Sequence, residues 1–188
     1  MNRRVAFARL PMITLLFSAT LLLCGNAVVL ANQPPPLPTS VSAHFSGSGN
    51  CAACHGSVSA VEGAGHSIPD EWRGTMMANS ARDPFWQAKL ESEVATFPQL
   101  RELIEDKCTT CHIPAGHKQA ILQGATQYTF DAARENPLAM DGVNCTVCHQ
   151  IQPPEGDISE TFTGNYNIGT ERRIFGPVSY THLRAHET

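Results

Sequence analysis

Three short runs carry the chemistry of this 188-residue chain: Cys51-Ala-Ala-Cys54-His55, Cys108-Thr-Thr-Cys111-His112 and Cys145-Thr-Val-Cys148-His149. Each reads CxxCH, the attachment pattern of a c-type haem. The spacing has a chemical reason. Two thiols three positions apart face the two vinyl groups of one porphyrin, and the adjacent imidazole reaches the iron as axial ligand. Cys51, Cys54, Cys108, Cys111, Cys145 and Cys148 are therefore expected to hold haem c, three in this chain, with His55, His112 and His149 as proximal ligands. A lone CxxC also serves zinc sites, redox pairs and disulfides. Six of the seven cysteines lie inside the motifs, however, and only Cys24 is left over, so no disulfide framework remains. Tetrahedral zinc would take its ligands from two motifs and leave the third unpaired.

On these motifs the chain resembles a multihaem cytochrome c. The resemblance implies a mainly α fold, with short helices and long loops packed around covalently bound haems. The opposite axial position of each iron then decides the chemistry: a second His lowers the potential, Met raises it, and an open site admits a substrate. The spare histidines are His44, His66 and His117. His117 follows His112 by five residues, too near to wrap the same haem, and is assigned to a neighbour. The alternative for each is an exposed or propionate-bonding histidine.

Downstream of the first motif, Trp72-Arg73-Gly74-Thr75-Met76-Met77-Ala78 resembles a stretch of the tetrahaem cytochrome family of nitrifying bacteria, Trp-x-x-Ser-x-His-Ala, whose His is a distal ligand. Trp72, Thr75 and Ala78 fit, but Met77 stands where the His would be. Met77 is then either a thioether ligand of a higher-potential haem or a packing residue, with His66 as ligand. This resemblance covers residues 50–150.

Export is read from the N-terminus. Arg3, Arg4 and Arg9 precede an apolar run from Met12 to Leu23, and Val29-Leu30-Ala31 ends the segment in the manner of a signal-peptide cleavage site. The expected layout is a signal peptide over 1–31, a Pro/Gly/Ser-rich lead-in over 32–49 and a multihaem domain over 50–177. A retained membrane anchor is the alternative for the first segment. After cleavage no membrane span is expected, and the protein is placed in the periplasm or otherwise outside the cytoplasmic membrane. Residues 178–188, VSYTHLRAHET, resemble translated sequencing adaptor, with a genuine short tail as the alternative. On the adaptor reading His182 and His186 are not ligands, the natural domain is truncated, and further haems are expected beyond Pro177.

Between Asn32 and Pro177, 9 Lys and Arg face 16 Asp and Glu, a formal net charge of −7. This disfavours nucleic acid and suits a basic redox partner or simple solubility. The elements that must position the motifs are legible only in places. Asp70 is expected to cap a short helix carrying Trp72, Met76 and Met77. Asp83-Pro84 is a helix start, followed by Trp86, Leu90, Val94 and Phe97 at helical spacing. Pro98 restarts the chain into a helix delivering the second motif, and Thr129 to Glu135 forms a weak helix. Thr161-Phe162-Thr163 has strand character. Phe85, Trp86, Phe97 and Tyr128 are candidates to pack on porphyrin faces.

The sequence thus reads as an exported multihaem cytochrome passing electrons between redox protein partners or from a membrane quinol-linked donor. The alternatives are a haem enzyme acting on a small nitrogen or sulfur species at an open axial site, and the haem portion of a larger protein.

Overall fold

A computed structural model describes residues 35–56 and 67–176; the expectations for the signal segment, His66 and the adaptor-like tail lie outside the described residues. The chain divides into two units, 1–36 and 37–188, and the second is described here. Its elements are α1 (Ser48–His55), α2 (Ile68–Arg73), α3 (Met76–Asn79), α4 (Pro84–Thr96), α5 (Arg101–His112), α6 (Pro114–Leu122), α7 (Phe130–Arg134) and α8 (Cys145–His149). Among the described residues, 3₁₀ turns lie between helices at Pro98–Leu100 and Ala139–Asp141 and after α8 at Ile158–Gly164. The fold is mainly α, with no strand among the described residues. Pairing is limited to isolated bridges of Val41 with Ser46 and Ile151 with Ile168.

The local signals explain most helix starts. Asp83 caps α4 by accepting from Phe85 N at 2.9 Å, with Pro84 at the first helical position. Trp86, Leu90 and Val94 are the buried face, while Phe97 falls outside the helix and stays exposed. Burying each such side chain contributes about 1.5–3 kcal/mol. Thr129 caps α7 through Ala132 N. The segment expected to be capped by Asp70 differs. Ser67 is the cap, accepting from Asp70 N, and the run splits at Gly74 so that Thr75 starts α3 afresh. Thr161-Phe162-Thr163 lies in a 3₁₀ turn broken at Phe162 and Thr163, the latter at φ 59°.

Helix α6 has no counterpart in the sequence reading, and Gly116 lies in its first turn. A Cβ there would lie 2.6 Å from Ala139 Cβ and 2.8 Å from Tyr128 Oη, so glycine is what lets α6 approach so closely.

Two apolar clusters result. One joins α4 to α7 through Trp86, Leu90, Val94, Ile113, Tyr128 and Phe130, with Ile104 and Cys108 packed against it. The smaller gathers Phe45, Ala115, Leu138, Val147 and Ile168. No helix among the described residues is long and apolar enough to cross a membrane.

Candidate haem-binding site

All three motifs end a helix or fill one. The first closes α1, the second closes α5, and the third is the whole of α8. In each, the first cysteine is partly buried and the second is exposed. A helical turn places residues three apart on one face, so both thiols of a motif address the same side.

The histidines of the second and third motifs are held alike. His112 Nδ1 lies 3.2 Å from the Ser80 carbonyl oxygen, and Ser80 Oγ donates back to the His112 carbonyl at 2.9 Å. His149 Nδ1 lies 2.8 Å from the Phe175 carbonyl oxygen, and Phe175 N–H donates to the His149 carbonyl at 2.7 Å. An Nδ1–H given to a backbone carbonyl fixes the tautomer that leaves Nε2 for a metal. These donor sets fit haem c. His55 is exposed at the end of α1. No group of three or more His, Cys, Asp or Glu side chains arranged to hold a bare metal ion occurs among the described residues.

The first and third motifs meet. Asp141, fully buried, accepts from Ser48 N and Ser48 Oγ, both at 2.9 Å, and so caps the start of α1 from the turn ahead of α8. Burial pushes its carboxyl above the usual carboxylate range, and the Ser48 bonds and the Arg82 charge offset this only in part. Cys51 and Cys145 face each other. The Cys145 thiol holds Cys51 toward the thiolate, down to about 7 against the opposing effect of burial, and Cys145 is pushed up in turn. Asn144 caps α8 by accepting from Thr146 N and Val147 N at 3.1 Å. The Thr146 hydroxyl accepts from Ser46 N at 3.2 Å, tying α8 to the lead-in of α1.

The stretch around Met77 supports the same junction. Trp72 Nε1 donates to the Val143 carbonyl at 3.1 Å, and Val143 N donates to the Met77 carbonyl at 3.0 Å. Gly142, at φ 70°, permits this approach, since a Cβ would lie 2.7 Å from the Met77 carbonyl oxygen. The Met77 side chain itself is exposed.

His44 and His117 differ in kind. Gln119 Oε1, from α6, lies 3.2 Å from His44 N, 3.1 Å from His44 Nδ1 and 2.7 Å from Ser42 Oγ. Gln150 Nε2 donates to the His44 carbonyl at 2.6 Å. The ring is therefore fixed on its Nδ1 side. His117 turns Nε2 to Asp106 Oδ1 at 2.9 Å and to Thr110 Oγ1 at 3.2 Å, largely buried between α5 and α6. Of the aromatic candidates, Trp86 and Tyr128 are buried in the apolar cluster, whereas Phe85 and Phe97 are exposed.

Among the participants that escaped the sequence reading are Ser80, Gln119 and Tyr166. Burial raises the Tyr166 hydroxyl above the usual phenol range, and the Cys148 and Cys111 thiols add to the rise, so it senses the second and third motifs together. None of the three sits in a recognisable pattern, and each partner lies at least 18 residues away.

A helical chain with three CxxCH motifs, in two of which a backbone carbonyl lies at Nδ1 of the histidine, has the donor sets of a c-type haem protein. A family model described as cytochrome c554 and c-prime matches residues 50–150, and the chain belongs to that family. It is thus a c-type cytochrome of the multihaem kind, with covalently bound haem c and a role in electron transfer. No curated protein and no solved structure matches it.

Proposed function

We propose that the chain carries three haems, one per motif, and relays electrons among them outside the cytoplasmic membrane. The paired clamps on His112 and His149 carry this reading, because a backbone carbonyl at Nδ1 is the arrangement that a metal-ligating imidazole takes. Cys51 and Cys54, Cys108 and Cys111, and Cys145 and Cys148 would form the thioether bonds, with His55, His112 and His149 as proximal ligands. When bound, haem c supplies a one-electron ferric/ferrous couple. The chain fixes imidazole orientation, brings the first and third motifs together through Asp141 and Ser48, and excludes water with the apolar cluster beside the second.

His44 is the distal ligand that the described residues support best, with Gln119 orienting its ring. His117 has Nε2 engaged by Asp106, Met77 keeps an exposed thioether, and His66 completes the candidates. The partial match of Trp72, Thr75 and Ala78 supports a relative of the tetrahaem nitrifier type. The arginines and apolar run at the N-terminus support a signal peptide over 1–31 and a periplasmic or otherwise exported domain over 50–177, with 178–188 an adaptor-derived tail. The acidic surface favours basic redox partners or a quinol-linked donor.

A ferric-state spectrum and a redox titration test the reading. The holoprotein should be low-spin, indifferent to cyanide, nitrite and carbon monoxide, and should titrate in one-electron steps, and His44→Ala should convert one haem to high-spin. A wild-type haem that binds these ligands would instead favour the enzyme alternative.

A further inference from the structure

Trp86 holds an unusual place beside the second motif. Its indole ring stacks on the His112 imidazole, with centroids 4.6 Å apart and planes inclined by 13°, while Phe130 meets its edge at 4.9 Å and 84°. It is 7% exposed and its Nε1 makes no conventional hydrogen bond. A buried indole N–H normally finds an acceptor. Cys108 packs against the apolar cluster to which Trp86 belongs. One side chain therefore lies beside two anchors of one motif, stacked on the imidazole and sharing an apolar cluster with the first cysteine.

The physical consequence concerns His112. Its ring plane is set from two directions, by the Ser80 carbonyl at Nδ1 and by the indole face. Both contacts add electron density to the imidazole, the carbonyl by accepting Nδ1–H and the indole through its negative π face. A more electron-rich axial imidazole favours the ferric state and lowers the potential. The third motif has the corresponding carbonyl, from Phe175, but no ring stacks on His149 among the described residues.

We propose that Trp86 is the positioning residue of the second motif, setting the plane and donor strength of His112 and so giving that haem a lower potential than its neighbours. The proposal rests on the second motif being a haem site.

The test uses the holoprotein carrying Trp86→Phe, with Ser80→Ala, which removes the hydroxyl bond to the His112 carbonyl, as a second variant that spares the core. Haem content is measured first, beside a Cys108→Ala/Cys111→Ala variant. If that double variant loses no haem, the reading of the motif fails and not the role of Trp86. Spectropotentiometry and low-temperature EPR follow. With Trp86→Phe, one haem should rise in potential by about tenfold in its reduction equilibrium, on the scale of lost outer-shell contacts, or about 59 mV for one electron. Its EPR signal should shift while the other haems keep theirs. Ser80→Ala should move the same haem in the same direction by less. A folded Trp86→Phe protein lacking the second-motif haem alone would also support the role. Unchanged potentials and EPR signals with full haem content would overturn it, as would equal shifts of every haem. Should Trp86→Phe fail to fold, Trp86→Leu, which keeps apolar bulk but offers no π face, takes its place, and unchanged potentials and EPR signals with full haem content would overturn the role.

Discussion

The second motif and the junction of the first and third are held by opposite means. Around Cys108 and His112, the helices from Pro84 to Arg134 close on Trp86, Leu90, Val94 and Phe130, and the motif is the last turn of a twelve-residue helix. Around Cys51 and Cys145, the smaller cluster is supplemented by buried polar groups: Ser48 on Asp141, Asn144 on the start of α8, and Gln119 and Gln150 on His44. Apolar packing tolerates small shifts, whereas a buried donor that loses its partner costs about 1–3 kcal/mol. The first arrangement suits a haem site with its own helical scaffold. The second suits two sites whose relative placement matters, since the bonds of Ser48 with Asp141 and of Gln119 and Gln150 with His44 join segments far apart in the chain.

The largest expected effect falls on the apolar side. Leu90→Ala should destabilise the protein by about 2–5 kcal/mol, the range for a buried Leu truncated to leave a cavity. Chemical unfolding measures this, and EPR should show the second-motif haem perturbed before the other two. An equal disturbance of all three would break the division between the regions.

A smaller effect, dependent on pH, belongs to the polar side. Because burial raises the Asp141 carboxyl in the folded protein, folding favours its protonated form. This contribution is fully present below the unfolded carboxylate value of about 3.9 and is lost as pH rises through the raised folded value. Asp141→Asn keeps one acceptor for Ser48 N and gains a donor for Ser48 Oγ, so stability measured against pH should lose this decline without a large change below about pH 3.9. A variant with the wild-type pH profile would show that Asp141 does not carry it.

The same contrast separates what was legible in the sequence from what was not. The second-motif scaffold follows local rules: Asp83-Pro84 starts α4, Trp86, Leu90 and Val94 recur on one face, and Pro98 restarts the chain toward His112. The polar junction follows them only at Asn144, the N-cap of α8. Asp141 reaches Ser48 from 93 residues away, and Gln119 reaches His44 from 75. Neither pairing leaves a periodic trace. The motif residues themselves were legible because attachment to porphyrin is a local act, confined to five positions. The orientation of the His112 and His149 imidazoles was not, because Ser80 and Phe175 supply it through backbone carbonyls, which any residue type carries.

The account turns on whether each CxxCH holds a haem, and intact-mass analysis with haem quantification measures this directly. The exported wild-type chain should carry three covalent haems, and replacing the two cysteines of any one motif by alanine should remove one and leave two. Fewer than three in the wild type, or a motif whose cysteines can be replaced without losing a haem, would contradict it.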